Sequence, residues 1–301
     1  MEPELSPQTV SAMPNDPESL AELALYSFQH APQLCAEEHA CCDYHRIWSM
    51  ARLVNPSGPH LAGWRFFHRQ LAILADAHPA PRLLISGAAD TGLLSLVLAG
   101  LKDFTADAQI VLVDRCATPV RQNEQLCVQS KIDVEFHVAD ILNFDCDPVD
   151  VILAHSFLNF FSPAERTALF SNWARLLNPQ GRVVLSNRVE QQPDAVLNPP
   201  ASADLELRLT SLGEAAATLG LDDKGQQELV EAARRCWSQA PKSNPSFTDM
   251  ELGKIVRAAG LQLQSLSLHE RSARTGKGPL AIAYGDSGKR AEIVLQKIPA
   301  A

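Results

Sequence analysis

The sequence lacks any apolar run of about 18 residues, the length a membrane-crossing helix needs, so no membrane partner is expected. It lacks a basic excess: 26 Lys and Arg face 35 Asp and Glu, for a net charge of −9. Binding to a phosphate backbone relies on clustered Lys and Arg, so nucleic acid is not an expected partner either. The opening "MEPELSPQTV" is acidic and proline-containing and does not read as a secretory signal, which predicts a cytoplasmic protein. A cysteine framework is missing too. The seven cysteines (Cys35, Cys41, Cys42, Cys116, Cys127, Cys146 and Cys236) are odd in number and irregularly spaced, which fits reduced thiols better than disulfides. What is present is a 301-residue chain, 46% hydrophobic and 20% charged. That is enough for one large domain, or for one domain with a cap.

Residues 1–17 carry four prolines and few large apolar groups, and are expected to form a mobile tail. Helical periodicity then runs through "ESLAELALYSFQH", "EEHACCDYHRIWSMARL" and "GWRFFHRQLAILADA", so residues 18–80 predict an all-helical cap. From Pro81 the pattern changes. Short apolar runs, "RLLIS", "QIVLVD", "VEFHVAD", "VDVILAHS" and "RVVLSNR", alternate with helical segments. Several are continuously apolar, as strands buried on both faces of a parallel sheet are. A doubly wound α/β domain is therefore expected over 81–301, with a helical insertion at 190–247. "SPAERTALF" and "FTDMELGKI" each open with a capping box. Near the end, "LQLQSLSLHERS" and "GPLAIAYG" are separated only by "ARTGK", too short for a parallel crossover. They predict an antiparallel hairpin, with a bulge where the apolar phase slips at Ser265.

In open α/β sheets ligands bind beyond the carboxyl ends of the strands, so the residues that end each run are the candidates. The first run ends in Ser86-Gly87-Ala88, where a glycine lets backbone approach a ligand and the following helix offers free N–H groups. The second ends in Asp114-Arg115, whose carboxylate can accept two hydrogen bonds from a ribose diol. The third ends in Asp140-Ile141, an acid that can read an adenine amino group beside an apolar cover. The fourth ends in His155-Ser156-Phe157.

This order of parts resembles the class I S-adenosylmethionine-dependent methyltransferases, over roughly residues 80–190 plus the terminal hairpin. The resemblance implies a mostly parallel seven-stranded Rossmann-like sheet with an antiparallel last strand, and S-adenosylmethionine as cofactor. It implies that the glycine loop holds the methionine and ribose part, that Asp114 binds the ribose hydroxyls, and that Asp140 binds the adenine amino group. "LAHSFLNFF" would face the methyl donor and a small-molecule acceptor. The sequence departs from the family at Ile85, where an acid is usual, and at Ala89, where a glycine is usual. Asp90 is a candidate for the missing carboxylate.

His155 is a candidate general base, since imidazole suits proton removal near neutral pH. Tyr44, with His45 beside it, is a second candidate, because family members often fold N-terminal helices over the cofactor. A dinucleotide such as NAD is the competing ligand. Its acid usually follows the loop by about 20 residues, whereas Asp114 lies 27 after Gly87. A cofactor-binding regulator that transfers nothing is the alternative of another class. Cys35–His39 and Cys41–His45 share helix faces at i,i+4, but structural zinc usually draws on two separated knuckles. No second cysteine pair follows at standard spacing, so no metal is expected. No feature bears on oligomeric state.

Overall fold

The computed structural model describes residues 17–53, 63–103, 108–190, 202–238, 249–270 and 288–298. The apolar runs become the strands β1 (Arg82–Ser86), β2 (Gln109–Asp114), β3 (Glu135–Val138), β4 (Val149–His155) and β5 (Leu177–Glu190). Each of the inner ones is apolar on both faces because helices cover both faces. With β6 (Leu261–Glu270) and β7 (Gly288–Lys297) they form one seven-stranded sheet in the order β3-β2-β1-β4-β5-β7-β6. All neighbours from β3 to β5 pair parallel, whereas β7 runs antiparallel to both β5 and β6. The strand order reverses between β1 and β4, which opens a crevice at their carboxyl ends.

The helices are α1 (Pro17–Leu34), α2 (Cys42–Leu53), α3 (Trp64–Ala77), α4 (Gly92–Asp103), α5 (Ala117–Ser130), α6 (Pro163–Leu176), α7 (Ser202–Ala217), α8 (Asp223–Trp237) and α9 (Asp249–Ala258). One face of the sheet is covered by α6 and α9, around Trp173, Phe170 and Val256. The other is covered by α3, α4 and α5, around Phe67, Leu94 and Leu126. A third core joins α1 and α2 to α7 and α8, around Phe28, Met50, Leu212 and Leu229. The N-terminal helices thus divide. α3 packs on α4, where a Cβ on Gly100 would lie 2.9 Å from Leu71, so glycine permits the close approach. α1 and α2 pack instead with the 202–238 helices. Gln122 of α5, 1% exposed, ties them to the sheet layer. Its Nε2 donates to the Leu23 carbonyl at 2.8 Å and to Ser49 Oγ at 3.0 Å.

The capping box at Ser162 is present: its side chain accepts from the Glu165 N–H, and the Glu165 carboxylate accepts from the Ser162 N–H at 2.7 Å. Thr248, the proposed cap of α9, lies outside the described residues. β6 slips register between Leu263 and Ser265, where the apolar phase breaks. The expected last strand is corrected. β6 pairs with Gly288–Lys297, and "GPLAIAYG" lies outside the described residues. The 288–297 segment carries its own period-two pattern, with Ala291, Ile293 and Leu295 fully buried.

Candidate functional site

Parallel pairing brings the ends of β1, β2, β3 and β4 to one edge of the sheet. At the end of β1, Gly87 has φ +81°, a left-handed conformation that favours glycine. A Cβ there would also lie 2.3 Å from the Phe157 ring, so glycine is required on two grounds. Asp114, at the end of β2, reaches across to this loop. Its Oδ2 accepts from the Ala88 N–H at 2.9 Å and its Oδ1 from the Cys116 N–H at 2.8 Å. Burial pushes this carboxyl above its ordinary range, against the two amides. Two of about four acceptor sites on the carboxylate are thereby used, which leaves room for a diol.

Asp140 follows β3 and is exposed; its Oδ1 accepts from the Leu142 N–H at 2.9 Å. Ile141 is turned inward and belongs to the core beneath α6. The carbonyl of Ile141 accepts from Asn172 Nδ2 at 2.6 Å. Arg115 is exposed and acts electrostatically on Glu165 at the start of α6. Ser86 is fully buried and its hydroxyl accepts from the Trp173 indole N–H at 3.1 Å, so its side chain faces the core rather than the edge.

Asp90 has a different role from the one the sequence suggests. It is 4% exposed, and its Oδ1 accepts from the Gly92 N–H at 2.7 Å while its Oδ2 lies 2.5 Å from Arg52 Nε of α2. Its carboxylate is committed within the protein and does not stand in for the acid missing at Ile85. It fastens the glycine loop to the cap.

Beyond β4 the chain turns at Ser156, whose φ is +53°. Arg290 of β7 fans over this turn. It donates to His155 Nε2 at 3.3 Å, to Ser186 Oγ at 3.0 Å and to Ser156 Oγ at 3.2 Å. A guanidinium cannot accept, so Nε2 of His155 is the acceptor and its lone pair is engaged. Asn187 of β5, fully buried, accepts from the Leu158 N–H at 3.1 Å and so holds the segment that places Phe157. Neither Arg290 nor Asn187 emerges from the sequence reading. The period-two burial of 288–297 is the pattern that would have located β7 and, with it, Arg290.

Tyr44 lies on α2 and stacks on Trp48, with centroids 5.5 Å apart and planes 23° apart. Its ring also lies edge-on to His45 on the same helix, with centroids 5.2 Å apart. Its neighbour His45 is 6% exposed and electrostatically linked to Cys116 and Cys41. Cys116, two residues past Asp114, gathers Cys35 and Cys41 around it. The sequence spacing does not reveal this grouping because the third thiol comes from 75 residues beyond Cys41.

Residues 88–181 match the family model described as a methyltransferase domain. This stretch contains Asp114, Asp140 and His155. These residues are thus similar to a methyltransferase domain, and they lie in a Rossmann-like sheet. Two curated relatives are carboxy-S-adenosyl-L-methionine synthases. The one from Pseudomonas fluorescens is 30% identical over 90 residues, covering 30% of this chain and 36% of its own. The one from Psychrobacter is 31% identical over 96 residues, covering 30% and 35%. The chain thus spans about a third of the length of the curated relatives it matches. Among solved structures, the chain shares its fold with a Galdieria sulphuraria protein assigned as a sarcosine dimethylglycine methyltransferase. The TM-score is 0.51 at 10% identity, over 79% of this chain and 85% of that one. The [4+2]-cyclase SpnF gives 0.50 at 14% identity, over 94% of both chains. A Clostridium acetobutylicum methyltransferase gives 0.50 at 10%, over 79% and 91%.

Proposed function

We propose that the methyltransferase domain binds S-adenosylmethionine across Gly87, Asp114 and Asp140 and transfers its methyl group to an O, N or S atom of a small molecule. The observation that carries this reading is Asp114: a carboxylate at the end of β2, fixed by two backbone amides, with acceptor sites still available beside a glycine turn. The residues fit the adenosine half of the cofactor. Asp114 can accept the ribose hydroxyls, and the exposed Asp140 can accept the adenine amino group. When bound, the cofactor supplies an electrophilic sulfonium methyl group. The chain's own task is then to align donor and acceptor and to exclude water, which suffices for much of the rate of such a transfer. His155 and Ser156, at the edge of β4, sit beside this path and are positioned by Arg290. Tyr44, on α2 of the cap, is read as a second candidate to line the acceptor side of this site.

The cap of α1 and α2 with α7 and α8 is read as a lid on the same edge, with Arg52–Asp90 as its hinge pin. An acid-rich chain with an enclosed site suits a metabolite rather than nucleic acid. No helix among the described residues is long and apolar enough to cross a membrane, and a cytoplasmic setting fits the composition. The test is calorimetry with S-adenosylmethionine followed by a panel of acceptors, with mass spectrometry of the spent cofactor. Micromolar binding and formation of S-adenosylhomocysteine support the reading. A carboxylated S-adenosylmethionine, the product named for the curated relatives, would replace methyl transfer by carboxyl transfer.

A second reading is a binder that transfers nothing, acting as a regulator or partner subunit. It is favoured by the Phe157 ring lying against Gly87 and by the engagement of His155 Nε2 with Arg290. Binding without product from any acceptor would select it.

A further inference from the structure

Three thiols from separate parts of the chain meet beside Asp114. Cys35 stands just past the end of α1 and Cys41 just before α2, and both are partly buried. Cys116 is the N-cap of α5 and is 3% exposed. The Sγ atoms of Cys35 and Cys41 each lie 3.6 Å from that of Cys116, and all three are within 4.8 Å of one another. The connection between the first two is built to return the chain. A single 3-10 turn at Glu37–His39 ends in Ala40 at φ +48°, whose N–H donates to the Glu37 carbonyl at 3.1 Å. Cys41 then comes back to the side of Cys35, and its carbonyl accepts from the His45 N–H at 3.0 Å to start α2.

The fourth group is His45 itself. It is 6% exposed, and its Nδ1 is shut from solvent with no hydrogen-bond partner. A buried imidazole nitrogen left unsatisfied costs free energy unless something binds it. Cys116 and Cys41 act on this ring, which lies just outside the 4.8 Å cluster of the three thiols, so a small shift of the ring completes the set.

We propose that Cys35, Cys41, Cys116 and His45 form a tetrahedral site for one zinc ion. A Zn–S bond of about 2.3 Å in a tetrahedron sets S···S edges of about 3.8 Å, close to the two thiol separations here. A disulfide needs about 2.05 Å, and Cys116 is equally far from two partners, which suits a shared metal better than a bond to either. Three thiolates and one imidazole fill four positions, so the site is closed and structural rather than catalytic. Binding releases the thiol protons to solvent. Cys116 is the N-cap of α5, and the N-terminus of a helix favours a thiolate at that place. Thr118 Oγ1, 3.1 Å from Cys35 Sγ, supplies an outer-shell hydroxyl for that sulfur. The metal would clamp the α1–α2 cap to the turn that carries Asp114, since the Cys116 N–H also holds the Asp114 carboxylate. The sequence spacing conceals the site because one ligand comes from the sheet and the other three from the cap.

Metal content is read independently of methyl transfer. The full chain, purified under reducing conditions, is expected to hold one zinc per chain by plasma mass spectrometry. Replacing zinc with Co2+ is expected to give the intense visible bands of a tetrahedral thiolate complex. Cys116→Ser and Cys41→Ser are expected to lose the metal, while Cys127→Ser keeps it. His45→Gln, which spares all three thiols, is expected to lose zinc to a chelator that the unaltered chain withstands. Zinc extraction is expected to lower the Tm by several degrees, with recovery on adding zinc back. Three results would overturn the proposal. One is a reduced chain that takes up no equivalent of zinc. Another is an octahedral cobalt spectrum. The third is a Cys116 disulfide to Cys35 or Cys41 in protein that stays metal-free after reduction and zinc addition.

Discussion

The carboxyl edge of the sheet has two halves that are held in different ways. On the β1–β2–β3 side, the backbone does the positioning. Asp114 is fixed by the amides of Ala88 and Cys116, and Asp140 by the amide of Leu142, all within a few residues of a strand end. On the β4–β5–β7 side, side chains from distant segments do it. His155 and Ser156 are held by Arg290, which lies 135 residues beyond His155, and the segment after them by Asn187. The first half depends on local backbone amides, the second on side chains brought from β5 and β7. A fold that fixes one part of its edge locally and builds the other from distant segments can keep one binding mode and serve many chemistries.

The comparison can be broken first at the loop that joins it to the cap. Arg52→Ala leaves the Asp90 carboxylate buried beside an empty place, and removing one member of a buried pair costs about 3–5 kcal/mol. A Tm fall of roughly 10 °C is expected by calorimetry, and a Tm within a degree or two of the parent would show that the pair is idle. Asp114→Ala removes two hydrogen bonds to a charged group, about 3 kcal/mol, or over a hundredfold in S-adenosylmethionine affinity. Unchanged affinity in a titration would end the ribose assignment. Gly87→Ala forces an L side chain to φ +81° and into the Phe157 ring, for a loss of about 2 kcal/mol or more. In the double variant with Phe157→Ala the clash disappears and only the backbone strain remains, so part of the loss is regained on chemical denaturation. On the other half, Arg290→Gln should cost about 1–2 kcal/mol and alter turnover more than cofactor affinity. A large loss of affinity with normal turnover would mean that the two halves are not separable. Asp140→Ala, at an exposed position, should weaken binding by only about 1 kcal/mol, or roughly fivefold.

Much of the parallel sheet was legible in the sequence. "RLLIS" and "QIVLVD" are β1 and β2 to the residue, because a strand buried on both faces must be a short apolar run between polar ends. The acids that end the second and third runs were legible for the same reason: they mark where the sheet stops and its edge begins. The last strand was misplaced because two segments near the end alternate apolar and polar residues, and alternation alone does not say which one pairs with β6. Asp90 was misread because its partner, Arg52, belongs to a helix 38 residues earlier. The role of Ser86 was hidden in the same way by Trp173.

The sequence by itself determined the elements of the α/β layer and the acids at its edge, because local periodicity and strand ends are properties of neighbouring residues. Only the tertiary structure decided that Asp90 pins the cap, that Arg290 engages His155, and that Cys116 meets Cys35 and Cys41. Each of those contacts joins segments whose separation along the chain carries no record of their distance in space. They form because burying the apolar faces of the sheet and the cap brings the polar groups at their margins together, where each must find a partner.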